Sequence, residues 1–369
     1  MHVLVTADTI GGVWTYIREL VTGLTNCDVK VTLVSFGEIP APRQTAWMDR
    51  LRNLDFRPTG FRLEWMQDAE YDTVHSADYL TSIVREVKPD ILHLNQYCYG
   101  GLEIDVPRIV VAHSDVMSWW VAVHGEEPKS SRWIDWYRGI VVRGLLGASA
   151  VVAPSHWMLN ALSGYYGRPA NACVIYNGRN PHSFNPHVTK EDYVVSVGRL
   201  WDSAKQVSLL REIECPMPIY VAGSEDHPES AARGLKRRAH RRKKLHFKGT
   251  QDEAQLRQLY SRASVYLATS RYEPFGLAPV EAALSRCAIL ANDIASFREI
   301  WGDAALYFRT NDAKDLESAL QILAADKAMR TDFANRAYEH ARSRYAARRM
   351  VEDYLGLYKS LVAAEATAA

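Results

Sequence analysis

Glu273-Pro274-Phe275-Gly276-Leu277-Ala278-Pro279-Val280-Glu281 decides the reading of this chain, because it sets two carboxylates eight positions apart around a turn that opens a helix. Just upstream, Ser264-Val265-Tyr266-Leu267-Ala268 is a short apolar run bounded by polar residues, the pattern of a buried strand, and from Leu277 to Arg286 apolar residues recur at helical spacing. Phe275 and Gly276 are therefore expected at the N-terminus of a helix that follows a strand. Unpaired N–H groups and the positive end of the helix dipole gather at such a point, which suits a diphosphate, and a glycine lets the backbone come close to it. Glu273, on the loop, is placed to accept hydrogen bonds from sugar hydroxyls, and Glu281, inside the helix, to reach those of a ribose. The competing reading is an acid that opens a helix and a second on its solvated face. The segment alone leaves both open.

A second constellation lies upstream. Tyr193-Val194-Val195-Ser196-Val197 reads as a strand, and Gly198-Arg199-Leu200-Trp201-Asp202-Ser203-Ala204-Lys205 follows it. Ligands of open α/β sheets bind at the carboxyl ends of strands, and a forked Arg with a point-charge Lys is what a departing diphosphate needs. Each cation alone reads more readily as a solvated side chain than as a ligand group. Together with the paired glutamates they read as one site.

With these residues in place, the chain resembles family 4 of the retaining glycosyltransferases, enzymes of the GT-B fold, over nearly its whole length. The resemblance rests on an ordered set: Gly11 and Gly12 after the first strand, His113 after a mid-domain strand, Val174-Ile175-Tyr176-Asn177-Gly178, the Gly198-Arg199…Lys205 loop and Glu273…Glu281. It implies an α/β architecture of two Rossmann-like doubly wound parallel-sheet domains facing each other across a cleft. It also implies that Gly12, Arg199, Lys205 and the backbone of Phe275, Gly276 and Leu277 hold the diphosphate. Glu273 would take donor-sugar hydroxyls, Glu281 the ribose, and His113 would orient the sugar near the reacting carbon. Gly11 joins Gly12 on the donor side, and Gly249 and Thr250 are expected to meet the base through their backbone.

Two departures stand out. Where the family usually carries Gly at the end of the helix after the second glutamate and Pro two residues on, this chain has Arg286 and Ala288. A glycine there serves as a left-handed cap, so Arg286 implies a different cap or a strained one. Gln206 follows the lysine where Gly is common, which alters the expected path of the phosphate loop.

Composition fits a two-domain globular enzyme: 369 residues, 47% hydrophobic and 24% charged. Five cysteines, Cys27, Cys98, Cys173, Cys215 and Cys287, are widely spread without a Cys-x-x-Cys pair, which points to a reducing cytoplasm and no structural metal. Met1-His2-Val3-Leu4-Val5-Thr6-Ala7 opens straight into a strand pattern, so no signal peptide is expected. No apolar run approaches the roughly 18 residues of a membrane-spanning helix.

Strand runs alternate with amphipathic helices: 2–7, helix 13–25, 29–36, helix 74–87, 91–95, 108–113, helix 131–147, 150–154 and 172–176. An N-terminal acceptor-side domain is expected over 1–176, rejoined by a C-terminal helix over 345–369. The polar, proline-bearing stretch 177–192 reads as a linker, and a donor domain is expected over 193–344 with strands at 193–198, 218–223, 245–248, 264–268 and 288–292. Thr250-x-x-Glu253 reads as a capping box. Against a net charge of +1, the stretch 231–248 holds nine Lys or Arg and no acid, read as a solvated helix in preference to a lipid or nucleic-acid surface. Trp119, Trp120, Trp133 and Trp136 cluster after His113. Trp119 and Trp120 are candidates for the acceptor side, while core packing is the expected role of most tryptophans.

No Asp-x-Asp motif appears, so metal-independent transfer without a cofactor is expected, with Arg199, Lys205 and the helix N-terminus opposing the leaving charge. The resemblance implies that the acceptor hydroxyl attacks from the face that the diphosphate leaves, with retention of configuration. The partners expected are a nucleotide-sugar donor and a hydroxyl acceptor on a glycan, glycolipid or small molecule, and no nucleic acid. Expected localisation is cytoplasmic, with peripheral contact at the inner membrane face open. Two rivals remain: a GT-B sugar-nucleotide epimerase, and a tethered polyanion-binding protein with a vestigial nucleotide site.

Overall fold

Residues 1–225 and 244–368 are described by the computed structural model and fall into two compact units, Met1–Gly178 with the C-terminal helix, and Arg179–Ala346. The first unit runs β1 (His2–Asp8), α1 (Gly12–Asn26), β2 (Lys30–Phe36), α2 (Pro42–Thr45), β3 (Leu54–Pro58), α3 (Glu70–Val87), β4 (Ile91–Leu94) and β5 (Arg108–Val111). It continues through α4 (Val116–His124), α5 (Arg132–Gly147), β6 (Ala150–Ala153), α6 (His156–Tyr166) and β7 (Ala172–Val174). All neighbouring strands are parallel, in the order β3-β2-β1-β4-β5-β6-β7. A parallel sheet covered on both faces turns its strands into continuous apolar runs, which is why Val3, Leu4, Val5 and Ala7 are wholly buried.

The second unit runs β8 (Glu191–Val197), β9 (Ile219–Ala222), β10 (Leu245–Gly249), α7 (Glu253–Arg262), β11 (Ala263–Ala268), α8 (Leu277–Leu284) and β12 (Ala288–Asn292). α9 (Ala295–Trp301), β13 (Leu306–Phe308), α10 (Ala313–Ala325) and α11 (Lys327–Arg344) complete it. Its sheet is again parallel, in the order β10-β9-β8-β11-β12-β13. In each sheet the strand order reverses once, between β1 and β4 and between β8 and β11. The crevice outside the carboxyl ends at such a reversal is where open α/β sheets take ligands.

α12 (Ala347–Ala368) returns to the first unit, where Tyr354 and Tyr358 are fully buried and the Tyr358 hydroxyl lies 2.6 Å from His93 Nδ1. No helix among the described residues is long and apolar enough to cross a membrane.

Several expectations are corrected. From Arg179 onward the stretch read as a linker is built into the second unit: Arg179 and Phe184 are 1% and 6% exposed, and Lys190 Nζ donates to the carbonyls of Tyr260 at 3.1 Å and Ser261 at 2.9 Å. The capping box of α7 lies two residues later than read. Asp252 accepts from Gln255 N and Gln255 Oε1 accepts from Asp252 N, both at 2.9 Å. Thr250 stays in the preceding turn because Gly249, at φ 66°, bends the chain out of β10. Of the basic run, residues 231–243 lie outside the described residues, and Leu245–Gly249 forms β10.

Candidate functional site

The second unit assembles its candidate residues at the carboxyl ends of β8 and β11, the neighbours at the reversal. After β8, Asp202 caps a short turn by accepting from Ala204 N at 2.9 Å and holds the Arg199 guanidinium at 2.8 Å. Arg199 also lies over the Trp201 ring, 5.2 Å from its centroid. Gln206 takes the left-handed conformation, φ 49°, which explains why glycine suits that position. Its carboxamide steadies it: the nitrogen donates to Asn311 Oδ1 at 2.7 Å and the Thr269 carbonyl at 3.1 Å, and the oxygen accepts from Arg271 at 2.9 Å.

The loop after β11 is tied to this one. Thr269 Oγ1 donates to the Lys205 carbonyl at 2.7 Å and Arg271 N to the Ala204 carbonyl at 2.8 Å. Lys205 Nζ reaches the Glu273 carboxylate, which also accepts from Ser270 Oγ at 3.1 Å. Gly198, Lys205, Tyr266, Thr269 and Ser270 line a small depression beside the pair. The carboxyl ends of β8, β9 and β10 each pass into glycine. Gly223 has no freedom to be otherwise, since a Cβ there would sit 1.7 Å from the Gly198 carbonyl oxygen.

α8 starts where the sequence placed it. Gly276 is its N-cap at φ 89°, with no side chain capping the first turn and no acid within it. A Cβ on Gly276 would press to 3.1 Å from Glu273 Cγ, so glycine there serves both the turn and the carboxylate. The Phe275 side chain is buried, edge-on to Tyr345 at 5.2 Å, which leaves only its backbone for a ligand. Glu281 is 9% exposed and lies 2.9 Å from Nε of Arg179. Gly249 and Thr250 stand exposed at the end of β10, two strands from β8, and nothing lies within 4 Å of a Cβ built on Gly249.

In the first unit, Asp8 shapes the turn after β1, accepting from Ile10 N at 2.5 Å and Trp65 Nε1 at 3.3 Å. Gly11 follows at φ 88°, and Gly12 opens α1 with no atom within 4 Å of an added Cβ. His113, after β5, lies 2.6 Å from Asn95 Oδ1 through Nε2. Asn95 is fixed in turn, its Nδ2 donating to the Thr6 carbonyl at 2.5 Å. An amide so oriented offers His113 an acceptor, so Nε2 carries the proton and Nδ1 is left with its lone pair. Burial pushes His113 down to about 3, keeping the ring neutral near pH 7. Behind it, fully buried His93 stands between the hydroxyls of Tyr16 at 3.1 Å and Tyr358 at 2.6 Å.

Trp119 and Trp120 are half-buried on α4, their rings 6.3 Å apart. Trp133, by contrast, is structural: Nε1 donates to the Met66 carbonyl at 3.1 Å, and the ring stacks on Tyr137. Sequence reasoning missed Asn95, Asp202, Ser270 and Arg179. Asn95 carried a usable signal, since it directly follows an apolar strand run at the same carboxyl edge as His113. Arg179 carried none beyond an arginine in a polar stretch.

Two sequence families match the chain: Glycosyltransferase Family 4 over residues 10–183, and Glycosyl transferases group 1 over residues 180–340. Over 152 residues the chain is 29% identical to the O-antigen chain mannosyltransferase of Salmonella typhimurium, covering 40% of this chain and 43% of that protein's length. Among solved structures, sucrose-phosphate synthase from Thermosynechococcus elongatus is similar with a TM-score of 0.78 at 17% identity, over 99% of this chain and 100% of that one. Anabaena HepE, solved in complex with UDP-glucose, is similar with a TM-score of 0.71 at 15% identity, over 98% of this chain and 100% of that one. The architecture is that of the GT-B fold, with two parallel-sheet Rossmann-like units.

Proposed function

Because the chain belongs to glycosyltransferase family 4, we propose that it moves a sugar from a nucleoside-diphosphate donor to an acceptor hydroxyl, with retention of anomeric configuration and without a metal ion. The observation that carries this reading is the contact of Lys205 with Glu273 beside the uncapped N-terminus of α8. A cation suited to phosphate and a carboxylate suited to sugar hydroxyls share one spot, the pairing that the junction of sugar and phosphate in a sugar diphosphate calls for. Arg199, on the same loop as Lys205, supplies a second positive charge. As the glycosidic bond to the diphosphate breaks, negative charge grows on the leaving oxygens. Positive groups already in place are worth most at that moment, about 2.7 to 4 kcal/mol for each one removed.

Neutral His113, with Nδ1 as an acceptor, suits a hydrogen bond from a sugar hydroxyl and adds no charge of its own. A relative named for O-antigen chain synthesis favours a growing glycan or glycolipid as acceptor, met from the cytoplasmic side of a membrane.

A thermal-shift panel of nucleoside diphosphates and their sugars, run with and without chelator, tests the reading. A ligand at 100 times its dissociation constant stabilises the fold by about 2.7 kcal/mol. The expected outcome is a hit that chelator leaves unchanged and that Arg199→Ala and Lys205→Ala both abolish. Transfer is then followed by NMR of the anomeric proton. Binding unchanged in both variants, or conversion of the donor sugar to its epimer with no acceptor present, would overturn it.

A further inference from the structure

Arg179 is an arginine with almost no access to water, 1% exposed, in a stretch whose sequence reads as a polar connection. Its backbone is fixed by N–H donation to the Tyr345 carbonyl at 2.9 Å and by a parallel bridge to Ala346. Its guanidinium lies 2.9 Å from Glu281 Oε1 through Nε and 3.2 Å from Glu253 Oε1 through Nη2, with the Phe184 ring 5.4 Å beneath it. Glu253 is shared with Arg257, a half-buried cation one helical turn away on α7. Tyr260 is fully buried beside Glu281, and burial first and that carboxylate second push its phenol well above the ordinary range. Arg179 is thus the buried cation set against the carboxylate of α8, and it is too enclosed to meet a ligand itself.

A carboxylate nine-tenths buried is costly without a compensating charge, and an unheld one would sample several rotamers. The Arg179 guanidinium supplies that charge and, spanning Glu281 and Glu253 at once, limits the positions the carboxylate can take. We propose that Arg179 is a positioning residue, whose grip on Glu281 sets that carboxylate to receive the ribose hydroxyls of the donor nucleotide and so makes the site select ribonucleotides over deoxyribonucleotides. The inference rests on the donor-binding reading above and adds to it a residue that never touches the donor. Lysine would keep the charge but lose the planar fork, and methionine would keep the volume alone.

The test measures dissociation constants by calorimetry for whichever of UDP, GDP and ADP binds the intact protein, and for its 2′,3′-dideoxy counterpart. The wild-type protein should prefer the ribonucleotide by roughly 10- to 100-fold, the worth of charge-assisted hydrogen bonds. In Arg179→Met the preference should fall to within about threefold while the dideoxy affinity stays within about threefold of wild type, a split that a purely structural role does not produce. If Arg179→Met fails to fold, Arg179→Lys should still lower the preference at least about fivefold. A ribose preference that survives substitution, an equal loss for both nucleotides, or no preference in the wild type would overturn the inference while leaving donor binding in place. A wild-type protein that binds none of the three diphosphates would overturn the donor-binding reading itself, and this inference with it.

Discussion

Lys205 and Glu273 form an ion pair across two loops, with side chains 18% and 16% exposed, so that each is the other's nearest charge before any ligand arrives. The pair keeps Lys205 from collapsing onto the loop and keeps Glu273 aimed at the same spot. It also means that a diphosphate entering the site competes with Glu273 for the ammonium.

That competition separates two functions. Glu273→Gln removes a negative charge from beside the phosphates, so free nucleoside diphosphate should bind no more weakly than to wild type. The same change weakens the acceptor of sugar hydroxyls, and turnover should fall by roughly 10- to 100-fold. Lys205→Met should do the reverse for binding and lose both. Isothermal titration with the diphosphate and initial rates with its sugar check this; tighter dependence of diphosphate binding on Glu273 than on Lys205 would contradict the assignment.

Gly276→Ala should damage the site out of proportion to its size. The residue sits at φ 89°, where a side chain costs about 1 to 2 kcal/mol, and its new Cβ would press on Glu273 Cγ at 3.1 Å. The expected result is a modest drop in the urea midpoint with a larger drop in turnover, because the carboxylate must shift. Activity that falls only as far as stability does would remove Glu273 from the chemistry.

Arg286→Gly should change little. Arg286 occupies the left-handed position after α8 at φ 58°, and the end is closed as a Schellman motif, with Cys287 N donating to the Ala282 carbonyl at 2.9 Å and Arg286 N to the Ala283 carbonyl at 2.8 Å. Glycine would relieve about 1 kcal/mol of backbone strain. It would lose the Arg286 bond to Asn335 at 2.7 Å and the contact over the Tyr338 ring at 4.5 Å, together of similar size. Stability within about 1 kcal/mol of wild type and unchanged kcat are expected, from a denaturant titration and a rate assay.

The same residues show what was readable in the sequence. Parallel strands buried on both faces announce themselves as apolar runs, so the core strands of both sheets were legible, and Gly276 marked the start of α8. β3 was not, because a half-buried edge strand with Asp55 and Arg57 along it has no such run. β13, only three residues long, fell below any periodic signal. Arg286 announced an unusual helix end but not its closure, which depends on backbone geometry. Thr250-x-x-Glu253 and Asp252-x-x-Gln255 both satisfy the capping pattern, and only the bend at Gly249 decides between them. Least legible were partners far apart in the chain: nothing local links Arg179 to Glu281, or Asn95 to His113.

His113 and His93 make stability fall with acid. Burial pushes both to about 3, with His113 adding to the effect at His93, while an unfolded histidine titrates near about 6.5. Between those values the unfolded chain binds protons that the folded one does not, so unfolding free energy rises with pH and is lost as pH drops below about 6.5. Each histidine contributes a slope of about 1.4 kcal/mol per pH unit at most. Urea midpoints taken from pH 7.5 to pH 5 should therefore decline steeply, and His113→Asn, which abolishes one titration, should decline less steeply. His113→Leu should lose turnover at pH 7.5, where the wild-type ring is already neutral, since it removes the Nδ1 acceptor and not a charge. If turnover in wild type instead followed a titration near pH 6.5, His113 would have to be exchanging protons with solvent, and its role as a neutral acceptor would be untenable.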